Sequence, residues 1–245
     1  MKKTLIFGFS LLFIMIASFV SMATLGLDVK EAVGLSVGVE AVMLFASYKM
    51  NRNLSFIACG GIIADLIADC DTPVQSGTQD KIWIWNFADV EGLTTEELNL
   101  MVVTAITMKA TKTGFSLTGF NNSNMPNYAM FPTTFVNKWD HTVPCKVFNI
   151  DPATKLNLES MKEGLFMVAT ENVNKGVDGN SAFELYGADA GLKLTSITRD
   201  PNSADTQGAF DLIFSSPKNK QNYMPRTIFD TDYATSLAII EDTLA

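Results

Sequence analysis

The sequence predicts a mainly β fold with α additions: an antiparallel β-sandwich or barrel with one internal and one C-terminal helix, preceded by a hydrophobic N-terminal helical segment. Three observations predict it. Residues 181–217 hold three short runs, 182–186, 192–198 and 209–215, in which apolar and polar residues alternate with the period of two that half-buried strands require. Residues 81–87, KIWIWNF, concentrate the β-branched and aromatic side chains that suit a pleated, packed surface. Helix starts followed by an apolar stripe stand at Asp151 and at Asp230 or Asp232, one internal and one near the C-terminus.

From the N-terminus, Lys2 and Lys3 precede residues 4–27, a stretch without a charge and long enough to cross a bilayer, which takes about 20 residues. The lysines would stay on the cytoplasmic side. Ser21-Met22-Ala23 also offers the small residues of a signal-peptide cleavage site. A second apolar run, 33–47, is shorter and interrupted by Glu40, so it reads as the return arm of a membrane hairpin or as an interfacial helix. The composition changes sharply at Met50-Asn51-Arg52-Asn53. Two domains are therefore expected: residues 1–49, a hydrophobic segment of one or two membrane helices, and residues 50–245, a β-rich domain. Met50 is a second candidate start, with 1–49 then no part of the native protein.

Residues 54–67 are apolar around Gly60-Gly61 and read as a buried arm or a broken short helix; Asp65, Asp69 and Asp71 around Cys70 read as a solvated acidic loop. In the strand at 81–87, Trp83, Trp85 and Phe87 share one face and Ile82 and Ile84 the other, so both faces are expected to be covered. Thr94 followed by Glu97 suggests a capped helical turn. Residues 101–108, 114–120, 131–139 and 143–150 read as strands, and 121–132 as a surface loop. Asp151-Pro152 opens a helix that Gly164 ends, and 165–171 is a strand. Asp178-Gly179-Asn180 then turns into the alternating runs, which read as a three-stranded meander. Gly187 and Gly191 supply its first reversal, 199–208 forms its second loop, and the alternation in 192–197 slips by one residue as at a bulge. A short strand through Ile228 leads to the last helix, on which Leu237, Ile240 and Leu244 form one apolar face.

The formal net charge of −8 excludes a nucleic-acid binder working through a basic surface, because phosphate neutralisation needs clustered Lys and Arg. Cys59, Cys70 and Cys145 have neither paired metal spacing nor an even count, so neither a zinc site nor a disulfide framework is expected. His141 is the sole histidine and reads as a hydrogen-bonded or solvated loop residue. There is no phosphate loop, dinucleotide glycine motif or nucleophile elbow, and Asp189 or Asp200, considered as a base, has no partner residue. No catalytic residue, cofactor or metal is expected, and the chain is not expected to be an enzyme.

Asp69-Cys70-Asp71-Thr72-Pro73, then Gly77-Thr78-Gln79-Asp80 leading into the strand, resembles the start of small virion structural proteins of Bacteroidota phages and prophages, crAss-like ones included. Phe183-Glu184-Leu185-Tyr186-Gly187-Ala188-Asp189-Ala190-Gly191-Leu192, Thr198-Arg199-Asp200-Pro201 and Phe229-Asp230-Thr231-Asp232 carry the same resemblance, which extends over about residues 50–245. It is a likeness of spacing and texture. It implies a tail-tube-like or neck-associated part of the virion, self-assembled as a homo-oligomeric ring or tube. Loops 121–132 and 200–208 would reach neighbouring copies or other virion proteins, and DNA would pass through an acidic channel without specific binding. Residues 1–49 depart from that pattern. If native, they suggest a bacterial membrane contact through residues 4–27, and the alternative is a membrane-anchored extracytoplasmic β-domain binding a ligand or protein partner through Trp83, Trp85 and the polar loops.

Overall fold

The structure, a computed structural model, describes residues 74–120, 123–134, 136–218 and 220–244, all within the unit Asp71–Ala245. The expected membrane segments at 4–27 and 33–47, the arm at 54–67 and the acidic loop around Cys70 lie outside the described residues. Among those described, the strands are β1 (Thr78–Asn86), β2 (Val90–Thr95), β3 (Val102–Met108), β4 (Phe115–Thr118), β5 (Asn127–Phe131), β6 (Lys138–Val147), β7 (Leu165–Asn172), β8 (Phe183–Tyr186), β9 (Leu192–Arg199), β10 (Phe210–Ser215) and β11 (Arg226–Ile228). The helices are α1 (Pro152–Met161) and α2 (Tyr233–Glu241). The fold is mainly β.

All eleven strands belong to one sheet, and it does not close. It is also mixed, because β11 runs parallel to β3, so neither a barrel nor a purely antiparallel sheet is formed. The sheet forks at β7. One edge of β7 takes β1, which carries β4; the other edge is shared, Val168–Glu171 pairing with β8 and Leu165–Phe166 with β9. From β8 the path continues through β11 and β3 to β2, and from β9 through β10 and β6 to β5.

The expected meander is thereby corrected. β8 and β9 do not pair with each other; they lie end to end along β7, and residues 187–191 form a jog rather than a reversal. Gly187 and Gly191 have φ of +76° and +69°, and the Gly191 N–H donates to the Gly187 carbonyl at 2.9 Å, which closes the jog on itself. The slip in β9 is a bulge as expected: Ile213 faces Ser196 while Phe214 faces Leu194, leaving Thr195 unpaired. Its hydroxyl instead donates to the Ile213 carbonyl at 3.0 Å.

β1 has both faces covered, as its sequence requires. Ile82 and Ile84 enter a core with Val143, Phe166, Val168, Leu192, Leu212 and Phe214, capped by Leu158 of α1. Trp83 and Trp85 enter a second core with Val103, Phe183, Leu185, Ile228 and Ile240 of α2. Each fully buried side chain of this size contributes about 1.5–3 kcal/mol. Phe87 leaves the strand and sits in a short 3-10 turn against the second core.

Both helices start where expected. Asp151 accepts from the Thr154 N–H at 2.6 Å with Pro152 in the first turn, and Asp232 forms a capping box with Thr235. Three other expectations are corrected. Thr94 and Thr95 finish β2 opposite Ala105 and Val103, because pairing with β3 outweighs a local cap. The loop expected over 121–132 contains β5, which pairs with β6 from Asn127–Thr142 to Phe131–Lys138. The strand expected over 131–139 is accordingly not continuous, since residues 132–134, 136 and 137 lie in no strand, while the one expected over 143–150 joins β6 as far as Val147. Pro144 is tolerated inside β6 because its carbonyl, which points to the same side as its nitrogen, faces Met125, beyond the end of β5. The missing N–H thus lies where no strand needs it.

Candidate functional site

Trp83 and Trp85 are 1% and 0% exposed. The Trp85 indole N–H donates to Thr243 Oγ1 at 2.7 Å, and Trp83 meets Phe183 edge to face. They are core, and the binding face expected of them in the membrane-anchored alternative is not there. Cys145 is buried in the first core, and burial pushes its thiol up to about 12, far from a nucleophile. Asp200 is exposed and accepts from the Asn202 N–H at 2.9 Å, an ordinary turn contact. The loop 200–208 lies mostly on the surface, its close supported by Gln207 and Gly208 at positive φ. Among the described residues no group of three or more His, Cys, Asp and Glu stands close enough to hold a metal, and no helix is long and apolar enough to cross a membrane.

Asp189 and His141 meet in the fork of the sheet. The segment from β10 to β11 crosses this gap, and Asp189 secures it, accepting from the N–H groups of Asn222 (2.7 Å) and Tyr223 (3.2 Å) and pairing with Arg226 at 2.7 Å. Gln221, fully buried, accepts from the Asp189 N–H and donates to the Gly191 carbonyl. His141 fastens β6 to both parts. Its Nδ1 accepts from the Gly187 N–H at 3.2 Å, so its proton resides on Nε2 and is donated to the Tyr223 carbonyl at 3.0 Å. Burial pushes the imidazole down to about 4, against the opposing pull of the Tyr223 carbonyl, Asp189 and Asp140. The pair has the residue types of acid–base chemistry, but both His141 nitrogens and Asp189 Oδ2 hold backbone, and Asp189 Oδ1 is paired with Arg226. It is a structural latch.

Two surface features remain. The first is β5, which ends one branch among the described residues: all five of its residues are exposed, none is charged, and it displays Tyr128, Met130 and Phe131. The second is a cleft of ≈ 620 Å³ at the mouth of the first core, bordered by Glu184, Tyr186, Tyr128, Asn124, Asn172 and Asn174. Tyr186, 1% exposed, donates its hydroxyl to Glu184 Oε2 at 2.5 Å. Burial first, and the Glu184 charge second, hold the hydroxyls of Tyr186 and Tyr128 in their neutral forms above the usual phenol range.

No known protein family, curated protein or solved structure matches the chain.

Neither surface feature is apparent from the sequence. β5 lies among Asn and Pro residues that signal turns, although Tyr128, Met130 and the intervening small Ala129 do alternate. Glu184 occupies a polar slot of a period-two strand, which reads as solvent-facing until Tyr128 of a distant strand is placed beside it.

Proposed function

We propose that this chain is a self-assembling structural subunit, tail-tube-like, of the kind built into the virions of Bacteroidota phages and prophages that its sequence resembles, with a β-sandwich-like body. The observation that carries the reading is β5. Sheet edges are normally blunted by charge, proline or a covering element, and this one presents an uncharged, largely apolar row that among the described residues pairs with β6 alone. A strand from a second copy adds along its other side. The opposite end of the path, β2, is a different edge, so β5 joining an edge other than β5 is a head-to-tail contact, which closes into a ring or continues as a tube. An acidic lumen would then repel phosphate and leave DNA free to pass.

The test compares chains beginning at Met1 and at Met50 by size-exclusion chromatography with light scattering and negative-stain microscopy. Rings or tubes from the Met50 form, abolished by Met130→Lys with Phe131→Lys, are the expected result. A monodisperse monomer at every concentration overturns the reading. A second reading, a membrane-anchored extracytoplasmic domain that binds a ligand, is favoured by the Glu184 cleft. It is selected if the Met50 form is monomeric while the full chain partitions into membranes.

A further inference from the structure

The cleft has an unbalanced inventory of hydrogen-bonding groups. Asn124, 4% exposed, spends both amide protons on the carbonyls of Gln79 and Asp80, and its Oδ1 is buried without a partner. Asn172 spends an amide proton on the Ser181 carbonyl. Glu184 is half-buried, accepts from Tyr186, and takes part in none of the ion pairs among the described residues. Among the described residues, no Lys, Arg or His lines the cleft. Gln75 and Asn174 add amide donors as well as acceptors, so the imbalance that remains among the described residues is the negative charge of Glu184 with no cation beside it. Tyr128 offers an aromatic surface at the rim, and Val74, Met125 and Pro126 add an apolar margin.

An anionic ligand would meet Glu184 with no cation to offset it, and a neutral polyol would leave the carboxylate uncompensated. An ammonium brings three donors and a guanidinium five, with no acceptor, and either is attracted to a tyrosine face. We propose that this cleft binds an organic cation, a primary ammonium or guanidinium on a short aliphatic chain, with Glu184 as counter-ion, the Asn172 and Asn174 side-chain oxygens as further acceptors, and the alkyl portion against the apolar margin. The inference rests on the cleft, which shares Tyr128 with β5 but requires no strand addition there.

Isothermal titration calorimetry of the full chain with cadaverine and agmatine tests it, with 1,5-pentanediol as an uncharged control of similar length. Saturable binding of the two cations and none of the diol is expected. Glu184→Gln keeps the acceptor for Tyr186 but removes the charge, and should weaken cation binding at least tenfold. Asn174→Lys should abolish it by placing an ammonium in the cleft, which keeps the test decisive if Glu184→Gln does not fold. Glu163→Gln, at an exposed site just after α1 that does not line the cleft, should change nothing. The proposal is overturned by the absence of saturable heat from either amine, by equal binding of the diol, or by Glu163→Gln weakening binding as much as Glu184→Gln.

Discussion

Acidification should loosen the fork of the sheet through His141. Folding lowers its pKa from 6.5 to about 4, because the buried ring must keep Nδ1 free to accept from Gly187. The unfolded chain therefore binds a proton that the folded chain refuses between these two values. Stability from this group is complete above pH 6.5, falls as the pH drops through the window, and stops falling below about 4. The loss amounts to about 2 kcal/mol at pH 5 and about 3 kcal/mol by pH 4, a large part of a small domain's margin. Urea denaturation from pH 7.5 to 4 measures it. Because His141 is the sole histidine in the chain, its imidazole resonances report the folded-state titration without assignment ambiguity. His141→Gln should be less stable at pH 7.5, since the buried Gly187 N–H loses its acceptor, yet should lack the slope across this window. An imidazole that titrates near 6.5 in the folded protein, or equal pH slopes for both proteins, refutes the reasoning.

Asp189→Ala should destabilise by about 3 kcal/mol in urea melts, because it strands the mostly buried Arg226 guanidinium and frees the Asn222 and Tyr223 amides; an unchanged midpoint would show the latch to be dispensable. Gly114→Ala places a Cβ 2.4 Å from Trp85 Nε1, and should cost about 1–3 kcal/mol and red-shift tryptophan emission if the indole is displaced. Cys145 should resist iodoacetamide at pH 8 in the native protein and react in denaturant, as read by peptide mass mapping; native labelling at rates typical of a free thiol would contradict its burial.

The sequence by itself determined the local elements and how deeply they are buried. Alternation over 82–85 with apolar residues on both sides specified a strand covered on both faces, and Ile82 to Trp85 are all buried. Asp151 and Asp232 specified helix starts because capping is a contact between residues three apart. The slipped pattern in β9 located its bulge for the same reason, as side-chain direction follows from the residue count alone. Only the tertiary structure decided partners. Backbone hydrogen bonds carry no side-chain signature, so nothing local told β8 and β9 to share one edge of β7, β11 to run parallel to β3, or residues 127–131 to become a strand rather than a loop. The same reason hid the β5 edge and the Glu184 cleft. A sheet edge is defined by which strands pair with it, and the character of Glu184 by the tyrosines and asparagines that three separate parts of the chain bring around it.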